Sequence, residues 1–358
     1  MALTCHRLDM EVQERMRRTL AGDPVDRLLA QPLIMQFAAR HAGLDYNDYV
    51  TDGRRLAEAQ LSMAAAFGVD CLMTCSDPAR ELIDIAGGDD SSVEWAASGP
   101  AIVESRALVL DKSVLSRLRV PDPLAPGRMR DRIGSIEIMR EAAGPGASIV
   151  GWVEGPLALG AEMRGLSALM MDTYADPPFL DELFDFTSQV ARAYWKPQVE
   201  AGADTIGMSD AAASMMSPAH YERFIFPAQL RVVTDIRASR PDVVIRLHMC
   251  GRTDDLLPTM SRLPVDIYEL DFPVDLAYAR GVLGADRVIL GNVNTVEDML
   301  SGTPEQVYAA AAACHRICGP MHIVGTGCEV SPETPAENVR ALVAYAREHA
   351  PADVPIAS

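Results

Sequence analysis

Residues 243–251 read VVIRLHMCG, a short apolar run that ends in a histidine, a cysteine and a glycine. An apolar run of this length that stops at a turn residue is typical of a buried β-strand. Seven further runs of similar length occur along the chain, and most end in Gly, Asp, Asn or Ser; they cover residues 32–37, 70–74, 148–153, 203–208, 266–270, 287–290 and 322–325.

Long helical patterns separate these runs, and several helices have clear start signals. Thr303 and Thr334 each place a hydroxyl directly before a proline, and Ser217 does the same. Eight candidate strands that alternate with helices predict an α/β fold, a (β/α)8 TIM barrel in one domain. A doubly wound parallel sheet is the alternative.

Two parts of the chain do not fit the strand and helix alternation. Residues 1–31 carry an amphipathic pattern, and we expect them to form an N-terminal helical extension before a barrel at residues 32–350. Residues 78–147 form a long stretch that is rich in glycine and proline. We expect an insertion or a lid there.

The composition excludes several classes of protein. With 358 residues, 49% of them hydrophobic, the chain can bury a large core. A net charge of −18 repels phosphate backbones, so we expect no nucleic-acid partner. No apolar run is long enough to span a membrane, and the N-terminus has no signal-peptide pattern. The seven cysteines are therefore expected to be reduced thiols in the cytoplasm, available for metal binding or catalysis.

His248 and Cys250 end the opening run with a spacing that suits metal binding. Side chains at positions i and i+2 of a strand point to the same face, so the imidazole and the thiol converge. Cys328 follows another apolar run 78 residues later, and the strand ends of a barrel share one rim. One histidine and two cysteines form a donor set that suits Zn²⁺.

Three protein ligands leave one tetrahedral position open, which is typical of a catalytic zinc site. A substrate thiol that binds there would lose its proton and become a nucleophile towards a methyl group. Zinc-activated water is the competing use of such a site. The alternative interpretation of these cysteines is core packing, which we expect for Cys71, Cys75, Cys314 and Cys318.

Other polar residues also follow apolar runs. Glu269 is a candidate fourth ligand or base, or else a solvated carboxylate. Asp77 and Asp210 are candidate proton donors or substrate anchors, or else helix caps. Asn292 and Asn294 are candidate substrate-binding amides, although Asn294 fits a turn equally well.

Three segments together resemble the uroporphyrinogen decarboxylase superfamily. They are SDAAASMMSPAHYERFIFPAQL at 209–230, ELDFPVDLAYARGVLGADRVILGNVNT at 269–295 and GTGCEVSPETPAENVRALV at 325–343. The resemblance extends from about residue 32 to the last helix. It implies a (β/α)8 barrel, in agreement with the strand pattern.

This chain departs from the decarboxylase pattern at two places, and both departures indicate another branch of the superfamily. The decarboxylases bind substrate carboxylates with an arginine-rich motif. The corresponding stretch here, PLIMQFAARHAGLDYNDY at 32–49, retains only Arg40 of that motif. Gln36 and Arg40 are the substrate-binding candidates in this stretch. The decarboxylases also have histidine where this chain has Cys328. Both departures resemble the corrinoid-linked methyltransferases, whose zinc ligands fall on His248, Cys250 and Cys328.

We therefore expect a zinc-dependent methyltransferase that moves a methyl group between a corrinoid, or another small donor, and a thiol or tetrahydrofolate-type acceptor. The chain contains no D-x-H-x-x-G, so a corrinoid would arrive on a separate protein or free in solution. Asp210 or Asn292 would contact a pterin. A metal-independent decarboxylase centred on Asp77, and a corrinoid or metal chaperone, are the alternatives. Barrels of this size often dimerise, and the sequence leaves a homodimer open.

Overall fold

Seven short strands form one parallel sheet in the computed structural model, which describes residues 10–74, 77 and 79–353. Their order in the sheet is β1-β4-β5-β6-β7-β8-β9, whereas β2 and β3 form a separate antiparallel pair. The strands are β1 (Leu72–Met73), β2 (Val93–Ala96), β3 (Gly99–Ile102), β4 (Ile149–Glu154), β5 (Thr205–Ser209), β6 (Val244–Met249), β7 (Ile267–Leu270), β8 (Val288–Leu290) and β9 (His322–Ile323).

A short segment near the N-terminus joins the two edges of the seven-stranded sheet. Beside β9, Gln31 donates its backbone N–H to Val324 at 2.8 Å, and Val324 donates to Leu29 at 2.9 Å. Beside β1, the N–H of Asp70 donates to the carbonyl of Ala30 at 2.8 Å. The sheet is therefore curled, and this segment bridges both of its edges.

The first strand predicted from the sequence, at residues 32–37, is wrong. The only strand-like pairing in this region is a bridge between Ala30 and Val324, and residues Gln36–His41 form a helix. Pro32 explains the difference, because proline has no N–H to donate to a neighbouring strand. The other seven predicted runs each overlap one strand of the sheet.

Helices lie before, between and after the strands of the sheet. They are α1 (Val12–Ala21), α2 (Gln36–His41), α3 (Tyr46–Thr51), α4 (Gly53–Phe67), α5 (Arg80–Ile85), α6 (Arg128–Ala143), α7 (Pro156–Arg164), α8 (Leu166–Ala175), α9 (Pro177–Glu200), α10 (Pro218–His220), α11 (Phe226–Ser239), α12 (Leu257–Met260), α13 (Leu276–Leu283), α14 (Pro304–Cys318) and α15 (Ala336–Glu348). Shorter 3₁₀ and π segments add to them, at Glu104–Arg106, Lys112–Arg117, Ala213–Met215, Tyr221–Ile225, Asp254–Leu256, Thr295–Leu300 and Pro351–Asp353.

A helix begins at each of the three predicted starts, and two of them have the expected side-chain cap. Thr303 and Gln306 form a reciprocal capping box at α14, and Ser217 accepts the N–H of His220 at α10. At α15 the helix begins at Ala336, but Pro335 holds the cap position and the Thr334 hydroxyl has no hydrogen-bond partner among the described residues.

Four polar residues share one row of the sheet at its carboxyl end. Glu154 pairs with Ser209, Ser209 with His248, and His248 with Glu269, on four successive strands. Residues paired across a parallel sheet project to the same face. All four side chains are buried, so the fold collects polar groups at the end of the sheet where barrel enzymes hold their sites.

The two stretches outside the barrel pattern contain regular structure. Residues 78–147 include α5, the β2–β3 hairpin and α6, and their role as an insertion or lid stays a prediction. The helix α1 lies within the predicted N-terminal extension, but residues 1–9 lie outside the described chain, as does Cys75. No helix among the described residues has the length and apolar character needed to cross a membrane.

Candidate metal centre

His248, Cys250 and Cys328 meet at the carboxyl end of the sheet. The Nε2 atom of His248 lies 3.3 Å from the Cys250 sulfur and 4.0 Å from the Cys328 sulfur, and the two sulfurs are 3.7 Å apart. His248 lies near the end of β6, and Cys328 lies in the loop after β9. Residues far apart in sequence therefore present one nitrogen and two sulfurs to a common point.

These separations fit one tetrahedral zinc ion. Bond lengths of about 2.3 Å to sulfur and about 2.0 Å to nitrogen imply about 3.8 Å between two sulfurs and about 3.5 Å between nitrogen and sulfur. The three measured separations lie within about half an ångström of those values. In the described part of the chain, no other group of histidine, cysteine or acidic residues brings three ligand atoms so close.

Glu269 lies beside His248 on the Nδ1 side of its ring. Its Oε2 atom is 3.4 Å from His248 Nδ1, so the other ring nitrogen faces the sulfurs. Arg246 holds the same carboxylate through two contacts, one of them 2.8 Å from Nε to Oε2. Because the imidazole ring separates Glu269 from the sulfurs, the structure does not support Glu269 as a fourth metal ligand. Its place beside Nδ1 is the one that the outer partner of a metal-binding histidine commonly has.

The sequence analysis missed Arg246, although a signal for it was present. A charged residue inside an apolar run such as VVIRLHMCG must be buried, and a buried charge requires a partner. The side chains of Arg246 and Glu269 are both fully enclosed. The run therefore contained a signal for a buried acidic partner, which the structure shows to be Glu269 on the neighbouring strand β7.

The three candidate ligands influence one another's protonation. The Cys250 thiol and the His248 ring lower the pKa of the Cys328 thiol, so its thiolate is favoured. The neighbouring Cys328 sulfur and burial both raise the pKa of Cys250. Burial opposes a charge on His248, but the carboxylate of Glu269 and the Cys328 sulfur together outweigh it and raise the pKa of the ring. Such a group readily exchanges its protons for a divalent metal ion.

Backbone turns beside the two cysteines are held by acidic side chains. Gly251, which follows Cys250, has a φ of 81°, a conformation that favours glycine, and its N–H donates to Asp271 Oδ2 at 2.5 Å. Glu329, which follows Cys328, accepts the N–H groups of Met35 and Gln36 at 2.9 and 2.8 Å. Burial raises the pKa of Glu329 to about 8. No local sequence pattern indicates these pairings, because they join residues distant along the chain.

Asp210 caps a helix and does not face the metal group with a free oxygen. Its Oδ1 accepts the N–H groups of Leu157 and Ala158 at 2.8 and 2.9 Å, and its Oδ2 accepts from Gln229 at 2.5 Å. Burial raises the pKa of Asp210 to about 6. The cap considered from the sequence was for the helix that follows Asp210, whereas these N–H groups belong to the start of α7, which precedes it in the chain. A role as proton donor or substrate anchor stays a prediction.

Asp77 is engaged by two arginines. Its Oδ2 lies 2.5 Å from Arg128 Nη2 and 3.4 Å from Arg132 Nη2, and its Oδ1 accepts the N–H of Ala79. The carboxylate is fully buried. This aspartate therefore forms ion pairs within the protein.

The four substrate-binding candidates are spread over different environments. The amide nitrogen of Asn292 donates to the carbonyls of Asp271 and Val274, and Asn294 caps the π segment that follows it. Arg40 is exposed and pairs with Glu333 at 3.2 Å. Gln36 lies at the start of α2, and its backbone N–H is bound by Glu329. The structure thus gives both asparagines structural contacts.

Comparison with known proteins gives consistent matches. Residues 11–349 match the family model described as uroporphyrinogen decarboxylase (URO-D). A methylated-thiol–coenzyme M methyltransferase of Methanosarcina mazei is 33% identical over 231 residues, 64% of this chain and 61% of that protein. A methylcobamide:CoM methyltransferase of Methanosarcina barkeri is 25% identical over 354 residues, 95% of this chain and 99% of that protein.

The fold also matches a solved structure. A methyltransferase from Methanosarcina mazei superposes with a TM-score of 0.83, at 22% identity, over 95% of this chain and 99% of that chain. At this identity the likeness concerns the fold, a curled parallel sheet surrounded by helices.

Proposed function

The chain belongs to the uroporphyrinogen decarboxylase family, and from that premise we propose that it is a zinc-dependent methyltransferase which transfers a methyl group from a corrinoid to a thiol. The convergence of His248, Cys250 and Cys328 carries this proposal, because it supplies a zinc donor set with room for one substrate ligand. We further propose that residues 29–31 complete the curled sheet as a (β/α)8 barrel, with the site at its carboxyl rim.

The names of the relatives support both substrates. One relative is named for methylated thiols and coenzyme M, and another for a methylcobamide donor. The alignment with the first of these covers 61% of that protein, whereas the alignment with the second covers 99%. The relative named for a methylcobamide donor therefore aligns with nearly the whole chain. This supports a corrinoid donor, delivered on a separate protein or free in solution.

Bound zinc would lower the pKa of a substrate thiol, so that a nucleophilic thiolate exists at neutral pH. The protein's own residues prepare the site for that step. Cys250 and Cys328 hold two negative charges when deprotonated, and His248 Nε2 faces the sulfurs while Glu269 lies near the other ring nitrogen. Arg246 in turn neutralises Glu269, so the charge behind the ring is balanced.

A thiol is a better-supported acceptor than a tetrahydrofolate. Asp210 and Asn292 were the residues expected to contact a pterin, but both are bound to other groups of the protein. A metal-independent decarboxylase is also less well supported. Its central residue would be Asp77, whose carboxylate is fully buried in ion pairs with Arg128 and Arg132.

Metal analysis and methyl transfer test this proposal together. We expect the purified protein to contain one zinc ion per chain and to transfer methyl groups from methylcobalamin to 2-mercaptoethanol. His248→Ala and Cys328→Ala should lose both properties. Cys314→Ala is the matched control, since Cys314 is a buried cysteine that contacts Asn292 and lies outside the candidate metal group. Protein without zinc, or full activity in either ligand variant, would refute the proposal.

A further inference from the structure

A turn after β7 contacts the residues next to both cysteines of the candidate metal centre. Residues 271–274 form this β7 turn, in which the N–H of Val274 donates to the carbonyl of Asp271 at 3.0 Å. The end of the neighbouring strand also holds it, because Asn292 Nδ2 donates to the carbonyls of Asp271 and Val274, each at 3.0 Å. The β7 turn is therefore fixed both by its own hydrogen bond and by the strand beside it.

The side chain of Asp271 ties the β7 turn to the loop that carries Cys250. Its Oδ2 accepts the N–H of Gly251 at 2.5 Å, and its Oδ1 accepts the N–H of Phe272 at 2.7 Å. Asp271 is buried, and hydrogen bonds to a carboxylate are roughly twice as strong as those between neutral groups. One buried carboxylate thus bridges two backbone segments that follow different strands.

The loop that carries Cys328 lies against the other part of the same turn. A Cβ atom at Gly327 would lie 2.8 Å from Phe272 Cα and 2.9 Å from the carbonyl carbon of Asp271. Both distances are shorter than Cβ contacts in real proteins, so the two backbones approach this closely only because residue 327 is glycine. The N–H of Gly327 also donates to the carbonyl of Val293 at 2.9 Å, which holds the loop in this place.

Planar peptide units carry these contacts to the cysteines themselves. The N–H of Gly251 belongs to the same rigid unit as the Cα atom of Cys250, and the Cα atom of Gly327 shares a unit with that of Cys328. A shift of the β7 turn therefore moves the backbone of both cysteines. The sulfurs of those cysteines lie 3.7 Å apart, close to the separation that two zinc-bound sulfurs require.

We propose that the β7 turn sets the separation of the Cys250 and Cys328 sulfurs, with Asp271 as a positioning residue for Cys250. This inference rests on the proposed function, in which those sulfurs hold zinc. Asp271 acts through Gly251 and not as a ligand, because each of its oxygens binds a backbone N–H. Since zinc–sulfur bonds have a nearly fixed length, a small change of the sulfur separation weakens the metal site.

Metal binding gives the first test. Asp271→Asn keeps the size of the side chain and one acceptor oxygen, whereas Asp271→Ala removes both acceptors. We expect zinc affinity to fall by about tenfold or more in Asp271→Ala and by a smaller factor in Asp271→Asn. Cobalt(II) reports the geometry of the site through its visible absorption, and we expect its tetrahedral bands to change in both variants. A residue that only stabilises the fold would leave these bands as they are in the wild type.

Asp275 supplies the matched control. It lies four positions after Asp271, and its side chain also accepts two backbone N–H groups, which belong to the start of α13. Asp275→Asn and Asp275→Ala should therefore keep the zinc affinity and the cobalt spectrum of the wild type. Equal losses at the two positions would contradict a specific role for Asp271.

An uncharged probe tests the sulfur separation without a metal. Phenylarsine oxide forms two arsenic–sulfur bonds with a pair of neighbouring thiols and releases one water molecule. The uptake that is lost in Cys328→Ala measures the Cys250 and Cys328 pair. We expect the metal-free Asp271→Ala and Asp271→Asn proteins to bind this reagent more weakly than the wild type, and the Asp275 variants to bind it equally well.

The outcomes separate a spacing role from a charge effect and from the proposed function. Wild-type affinity for the arsenical in both Asp271 variants would refute the inference even if zinc binding falls, because the lost negative charge alone would then explain the zinc result. If the wild-type protein binds no zinc, the proposed function fails, and the arsenical measurement still decides whether the β7 turn spaces the sulfurs.

Discussion

Glu269 and His248 are direct neighbours in the sheet, and Glu269 Oε2 lies 3.4 Å from His248 Nδ1. The pairing of β6 with β7 places them side by side on one face, at the same depth. Arg246 precedes His248 by two residues and therefore shares that face, where it holds the far side of the carboxylate. Strand register alone thus positions the histidine, its carboxylate partner and the balancing cation.

We expect Glu269→Gln to weaken zinc binding by about 10- to 100-fold, because the amide removes the negative charge that orients His248 and increases its basicity. Competition with a chromophoric chelator would measure the change. Glu297→Gln, at an exposed position, is the control and should bind zinc as the wild type does. Unchanged zinc affinity in Glu269→Gln would show that this carboxylate does not support the metal site.

The same substitution should also destabilise the fold. Without its carboxylate, Arg246 keeps a buried charge that has lost its ionic partner, which typically costs about 3–5 kcal/mol. We expect the double variant Arg246→Met with Glu269→Leu to regain most of that free energy of unfolding, because apolar side chains replace the pair. Urea denaturation in the presence of a chelator would separate this effect from zinc binding. Equal losses in the single and double variants would contradict this explanation.

The sequence predicted those parts of the fold that depend on local patterns. The run at 243–248 matches β6 at Val244–Met249, and the run at 148–153 matches β4 at Ile149–Glu154, because alternation of apolar runs and turn residues is local. The meeting of His248, Cys250 and Cys328 also followed from local facts. Each lies at the end of an apolar run, and a curled parallel sheet gathers those ends.

Contacts between distant segments could not be predicted in this way. Asp210 caps α7 across 53 residues of sequence, and no local pattern distinguishes that role from an exposed carboxylate. Asp77 likewise gave no sign of its pairing with Arg128, which begins a helix 51 residues later. Such roles depend on which loops the curled sheet brings together, and that information is spread over the whole chain.

Gly327 should be essential for the position of Cys328. A Cβ atom at Gly327 would lie 2.2 Å from the backbone nitrogen of Phe272, and backbone cannot move aside cheaply. We therefore expect Gly327→Ala to displace the loop and to weaken zinc binding by about tenfold or more.

Gly281→Ala is the matched control, because no atom outside its own helix lies within 4 Å of the added methyl group. It should bind zinc normally and be equally or more stable, since alanine favours the helix. Equal zinc affinity in the two variants would contradict the close approach.

His322 should make stability depend on pH. Burial lowers the pKa of His322 to about 3, and its Nε2 lies 2.6 Å from the carbonyl oxygen of Gly291. Between about pH 6.5 and pH 3 the unfolded chain therefore binds a proton that the folded chain does not, so stability falls as the pH falls. This residue should contribute up to about 1.4 kcal/mol per pH unit to the slope of the free energy of unfolding against pH in that range.

His322→Gln, which retains a donor for Gly291, should reduce the slope of the free energy of unfolding by that amount. His41→Gln, at an exposed position, should keep the wild-type slope. Urea denaturation at intervals from pH 4 to pH 7 would measure these slopes, and parallel curves for the wild type and His322→Gln would show that this histidine is not responsible.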